Sequence, residues 1–149
     1  MKKIIFGLFL ILGTISFAVP DFVNLKNIEN AGYTINKDED NHFSFSMSDQ
    51  ESALTIAFLK TDLDPKVLND NVRYKLSNKI KFLTELENNK AYVTEYKTDK
   101  SYVYIIIPKK QKVKNYSVRA EYYYVDRLPK DAVDRSVNII LKEIDSAIK

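Results

Sequence analysis

Residues 43–48 read Phe43-Ser44-Phe45-Ser46-Met47-Ser48. Apolar and hydroxyl side chains alternate without a break, and a period of two separates them onto opposite faces only if the chain is extended. This is the half-buried strand of an antiparallel sheet, with Phe43, Phe45 and Met47 facing the core. The same period recurs on both sides. Upstream, Tyr33 and Ile35 alternate with Thr34 and Asn36, and the charged run Lys37-Asp38-Glu39-Asp40-Asn41 reads as the turn between them. Downstream, a polar turn at Asp49-Gln50-Glu51-Ser52 leads into Leu54 to Lys60, where Leu54, Ile56 and Phe58 share a face.

The period then lengthens. Asp64-Pro65 opens a helix, since Asp is a good N-cap and Pro is tolerated at the first helical position. Leu68, Val72, Leu76, Ile80 and Leu83 recur every three or four residues and lay an apolar stripe along it. Three more strands follow: Ala91 to Lys97, Tyr102 to Ile107 and Tyr116 to Val125. The second is apolar on both faces, which predicts an interior position in the sheet. Pro129 begins a last helix with Val133, Val137, Ile140, Leu141, Ile144 and Ile148 as its buried stripe. The segment Val19 to Asn30, with Phe22, Leu25 and Ile28 spaced by three, fits a short helix or a lead-in strap. The predicted fold is therefore α+β: an antiparallel sheet of five to six strands covered by two main helices, in the order β-β-β-α-β-β-β-α. Ile80 and Ile140 are expected in the core beneath those helices.

The amino terminus reads as a secretory signal peptide over residues 1–18. Met1-Lys2-Lys3 is the charged start, Ile4 to Leu12 is uninterruptedly apolar, and Ser16-Phe17-Ala18 supplies small residues at the −3 and −1 positions. Ile4 to Ala18 is 15 residues, short of the roughly 20 that span a bilayer. Cleavage after Ala18 leaves residues 19–149 as a single periplasmic or secreted domain without a transmembrane segment. A lipoprotein anchor requires a cysteine, and the chain has none.

Composition narrows the chemistry. The chain carries 23 Lys and Arg against 20 Asp and Glu, and Lys2 and Lys3 leave with the signal. The remaining domain is nearly neutral, which gives no global case for nucleic acid. Of three glycines, only Gly32 lies beyond the signal. Dinucleotide and phosphate-cradling loops need several, so those sites are excluded. His42 is the sole histidine, which leaves an imidazole-based metal site without co-ligands. Asp38, Asp40, Asn41 and His42 lack EF-hand spacing, and a polar turn accounts for them equally well. Ser44, Ser46 and Ser48 share a face with His42, but there is no G-x-S-x-G elbow. Glu85 with Glu87, or Glu95 with Glu121, are the carboxylate pairs that a glycoside hydrolase would need. Acids on strands ordinarily just solvate a face. No catalytic residue, cofactor or metal is assigned.

Two clusters remain as candidate recognition surfaces. Pro108-Lys109-Lys110-Gln111-Lys112-Val113-Lys114 places four lysines in a hairpin tip, suited to an acidic partner or to solvating a sheet edge. Tyr92, Tyr96, Tyr102, Tyr104, Tyr122 and Tyr124 either line one sheet face as a binding platform or cover a core edge. The reading that follows is an exported, non-catalytic binding or accessory domain for a protein or envelope partner. Its candidate contacts are Lys109, Lys110, Lys112, Lys114, Tyr122 and Tyr124. A structural envelope component and a small exported hydrolase are the alternatives.

The order of elements from Tyr33 to Ile148 resembles the PsbP/Mog1/DcrB-like superfamily of small α/β/α sandwiches. The carriers of that likeness are the Phe43-Ser44-Phe45 strand, the long helix, the three-stranded meander and the closing helix. The proline and tryptophan that commonly follow the aromatic strand in that superfamily are absent here. The resemblance implies a non-catalytic accessory domain outside the cytoplasm and carries over no individual residue.

Overall fold

The computed structural model describes residues 19–39, 41–75 and 79–149. The reading of residues 1–18 as an export signal lies outside them. The described chain is α+β, with the elements α1 (Leu25–Asn30), β1 (Thr34–Glu39), β2 (His42–Ser48), β3 (Ser52–Lys60), α2 (Pro65–Lys75), β4 (Lys81–Leu86), β5 (Ala91–Lys97), β6 (Tyr102–Pro108), β7 (Tyr116–Tyr124) and α3 (Lys130–Ser146). The strands form one open antiparallel sheet in the order β1-β2-β3-β7-β6-β5-β4. Two meanders meet where β3 pairs with β7, from Ser52 opposite Tyr124 to Lys60 opposite Tyr116.

The described residues thus form seven strands in one sheet and three helices, where the sequence predicted five to six strands and two main helices. The seventh strand is β4. The sequence pattern carries the α2 stripe on through Leu76, Ile80 and Leu83; Leu76 lies outside the described residues, α2 spans Pro65–Lys75, and Lys81–Leu86 runs as a strand. Tertiary pairing overrides the helical period here. Five of the seven residues of β5 are buried. Without β4 its outer edge would leave a row of backbone groups unpaired. Lys81 lies opposite Lys97 and Leu86 opposite Val93, with a register shift between Phe82 and Thr84. The added helix is α1, the alternative first offered for Phe22, Leu25 and Ile28. Its end shows why the one glycine of the domain is needed. Gly32 takes φ +84 just past the helix and donates to Glu29, while the Tyr33 amide donates to Ile28. That pair of bonds closes a Schellman motif, with Ile28 and Tyr33 both buried in the core. The charged run predicted as a turn is also shorter than expected. β1 continues through Lys37 and Asp38 to Glu39, which pairs with His42.

Helices cover both faces. On one, α1 and α3 pack over Phe43, Phe45, Ile56, Phe58, Tyr104 and Ile106. On the other, Leu68 and Val72 of α2 pack on Tyr96, Val103, Ile105 and Ile107. β6 is buried on both faces, as its uninterrupted apolar run predicts. The start of α2 matches its sequence signal, because Asp64 Oδ1 accepts from the Lys66 amide at 2.8 Å. Ile140 is 2% exposed beneath α3, whereas Ile80 lies outside any helix and only half-buried against the α2 cluster. Ile140→Ala is therefore expected to cost about 2–5 kcal/mol and Ile80→Ala distinctly less. Urea midpoints of the two variants check this ordering.

Candidate functional site

The lysine run after β6 is held in place by the ends of three elements. The Lys109 amide donates to the Lys90 carbonyl at 2.9 Å, tying the run to the start of β5. The Lys109 ammonium donates to the Asn88 carbonyl at 2.7 Å and sits 5.2 Å above the Tyr92 ring. Lys112 reaches across to α3, where its ammonium meets Asp145 Oδ1 at 2.7 Å. Further along the same helix, Asn138 Oδ1 accepts from Lys90 Nζ at 2.7 Å. Asn115 absorbs the return into β7 with φ 63.

Between this run and α3 lies an open cleft of about 610 Å³. Lys90, Lys109, Lys110, Lys112 and Lys142 surround it, against a single carboxylate, Asp145. Pro108 and Leu141 give it an apolar floor. Its volume is in the range of small-molecule and peptide sites. Lys110 and Lys142 form no ion pair or hydrogen bond among the described residues, so two ammonium groups face the cleft without a counter-charge. Like charges gathered in a concave, partly apolar wall raise the local concentration of anions far more than the near-neutral domain charge suggests. A search of protein-family models and of curated proteins finds no match for this chain.

The six residues named from the sequence do not form one surface. Lys109, Lys110 and Lys112 line the cleft. Lys114 is exposed beyond it, beside Asn115. Tyr122 lies opposite Tyr104 on β6, four residues before Pro108, which sets it about 13 Å along the strand from the lysines. It lines a separate groove of about 420 Å³ with Met47, Leu54, Ile139 and Ile140. Tyr124 holds its ring tilted at 6.2 Å from that of Tyr122, and its hydroxyl donates to Glu51 at 3.1 Å. The wider tyrosine platform is corrected too. Tyr92 and Tyr96 belong to the α2 face, while Tyr102, Tyr104, Tyr122 and Tyr124 belong to the α3 face. Tyr96 and Tyr104 are fully buried. Cleft residues that sequence reading missed are Lys90 and Lys142. No run marks them, because a turn before β5 and one flank of α3 contribute them separately. The spacing Asn138, Leu141, Lys142, Asp145 is the only linear trace.

Other constellations are now placed. Cross-strand partners share a face, and Glu95 lies opposite Tyr104, whereas Glu121 lies opposite Ile105. The two carboxylates therefore occupy opposite faces of the sheet, and no cleft brings them together. Glu85 is committed to Arg73. His42 shares its face with Ser44 and Ser46, and Ser46 donates to Asn36 at 3.0 Å. Burial, then the charges of Lys37 and Arg119, pull the His42 imidazole below its usual range.

Among the described residues, Glu95 is the one fully enclosed acid, and it lies on the apolar α3 face. Its side chain is 2% exposed, and Arg127 grips it through two bonds of 2.9 Å. The Tyr104 hydroxyl donates to it at 3.3 Å and accepts from the Leu128 amide at 2.8 Å. Burial, reinforced by the Glu95 charge, pushes the Tyr104 hydroxyl up to about 12, so it stays a donor. The cluster pins the segment between β7 and α3 onto the sheet, and so sets where α3 begins.

Proposed function

We propose that this is an exported, non-catalytic binding domain that captures an anionic partner in the cleft between the lysine run and α3. The observation that carries this reading is the five-lysine wall with Lys110 and Lys142 uncommitted and facing the same open volume. The chemistry is that of point charges. Ammonium groups on flexible stems accept carboxylates in many geometries, without the bidentate constraint that arginine imposes. The apolar floor lowers the local polarity and lengthens the reach of those charges. A non-catalytic role is supported by how the acid candidates are placed. Glu95 and Glu121 lie on opposite faces of the sheet, and Glu85 is paired with Arg73.

Poly-L-glutamate is the first probe. It is expected to bind at low ionic strength and to be released as salt is added, because exposed charge pairs are screened within about 8–10 Å. The pair Lys110→Ser and Lys142→Ser is expected to weaken binding about three- to tenfold with circular dichroism unchanged. Lys114→Ser, outside the cleft, is expected to leave it as it was. Turnover of an ester, peptide or glycoside panel without any anion binding would replace this reading with a catalytic one.

Export is the second part of the proposal and rests on the Lys2-Lys3 start, the apolar run and the Ser16-Phe17-Ala18 exit. Intact-mass measurement of the material released from cells is expected to give a chain beginning at Val19. A mass that retains Met1 to Ala18, found in membranes, would contradict it. The resemblance to the PsbP/Mog1/DcrB-like superfamily agrees with an extracytoplasmic accessory domain and stays part of the proposal.

A further inference from the structure

Both cavities described above are lined by α3, from opposite sides. At 100° per residue, the buried stripe Val133, Val137, Ile140 and Ile144 marks the bottom of the helix. Asn138, Lys142 and Asp145 turn to one flank and face the lysine cleft. Ser136 and Ile139 turn to the other and face the groove lined by Met47, Leu54 and Tyr122. Ile139 is 59% exposed, the most exposed large hydrophobic residue among those described, and Met47 beside the groove is 38% exposed. An isoleucine left more than half in water on the groove flank of the helix, across α3 from the basic cleft, has no role in the core.

We infer that the partner straddles α3. It is a protein segment that places acidic side chains in the lysine cleft and an apolar side chain in the Met47–Leu54–Tyr122–Ile139 groove. This rests on the reading of the cleft as an anion site. A helix with its side chains is about 10–12 Å across. An extended peptide at about 3.3 Å per residue therefore needs roughly four residues between its acidic and apolar anchors. Polyphosphate and other uniform polyanions have nothing to offer the groove. Single-stranded nucleic acid calls for exposed aromatic faces to stack on, and the lysine cleft is lined by none; a duplex calls for an extended basic face, which a nearly neutral domain lacks. An anionic lipid surface carries both charge and apolar chains, but it requires several hydrophobics protruding together, and at this groove only Ile139 and Met47 do. Leu54 and Ile140 are recessed at 7% and 2% exposure, and Asp49 stands at the groove. Tyr122 thus returns as a contact, joined to the lysines over α3 rather than along β7.

The test uses two labelled peptides, one with three glutamates, four serines and two leucines, the other with both leucines replaced by serine. Fluorescence anisotropy at low salt is expected to show the leucine peptide binding about tenfold more tightly, the order expected for burying an apolar side chain. Ile139→Ser should erase that difference, and Lys110→Ser with Lys142→Ser should weaken both peptides. Equal affinity for the two peptides, or an Ile139→Ser variant that still tells them apart, overturns the straddling inference and leaves the anion cleft standing. Binding of inorganic polyphosphate or of phosphatidylglycerol vesicles in place of either peptide overturns the protein partner alone. Failure to bind any of these anions overturns the cleft reading with it.

Discussion

Arg127→Ala is expected to lower the melting temperature by roughly 10 °C or more, and to do so more severely than Glu95→Leu. The asymmetry follows from where the two charges sit. Glu95 is 2% exposed and Arg127 is 58% exposed. Removing the arginine leaves the carboxylate beside Tyr104, Leu86 and Leu128 without its two charge-assisted bonds, and Lys130 at the same cavity is engaged by Asp134. An unpaired buried charge is among the most destabilising single changes known. Removing the glutamate frees Arg127 into water, and an apolar replacement fills the space it leaves. For a domain of about 130 residues each kcal/mol corresponds to roughly 4 °C, so the two outcomes are easily resolved by calorimetry. Equal shifts for the two variants would mean that the pair is a surface contact rather than the pin that sets the start of α3.

Phe45→Ala is expected to cost about 3–5 kcal/mol in a urea titration. Phe45 is 1% exposed, and its ring meets Tyr33 edge-on at 5.0 Å, with Phe43 at 6.1 Å and Phe58 at 6.2 Å. Truncation removes one ring from a seam that joins β2 to β3 and to the end of α1, so both the transfer of the ring and the cavity left behind contribute. A loss below about 1 kcal/mol would show that the aromatic seam collapses freely and does not organise the core.

The parts of this fold legible in the sequence are those where one short-range period decides. Phe43, Phe45 and Met47 alternate with serines because β2 has one buried face. Tyr102 to Ile107 reads as interior because both of its faces are covered. Asp64 and Pro65 mark a helix start by local hydrogen bonding alone. What was not legible depends on distant pairing. Ile80 and Leu83 continue the helical period of α2, and only the unpaired edge of β5 selects the strand, with a register shift between Phe82 and Thr84 that no short-range period announces. The strand character of Lys37 and Asp38 is likewise conferred by β2, since their own side chains favour a turn.

The site divides in the same way. Lys109, Lys110 and Lys112 stand out because they are contiguous. Lys90 and Lys142 join them only through the packing of α3 across the sheet. Tyr122 and the lysines seemed one surface because β7 follows the lysine run in the chain. A strand is long enough to separate them, and α3 is the element that lies between.

The account stands on anions entering the cleft beside α3, and a titration of the 15N-labelled domain with a glutamate hexamer, followed by amide chemical shifts, tests it most directly. The expected result is a saturable, salt-sensitive set of shifts confined to Asn89, Lys90, Lys109 to Lys112 and the Asn138 to Asp145 stretch of α3. Shifts that instead centre on His42, Ser46 and Arg119, or spectra unchanged at low ionic strength, would contradict it.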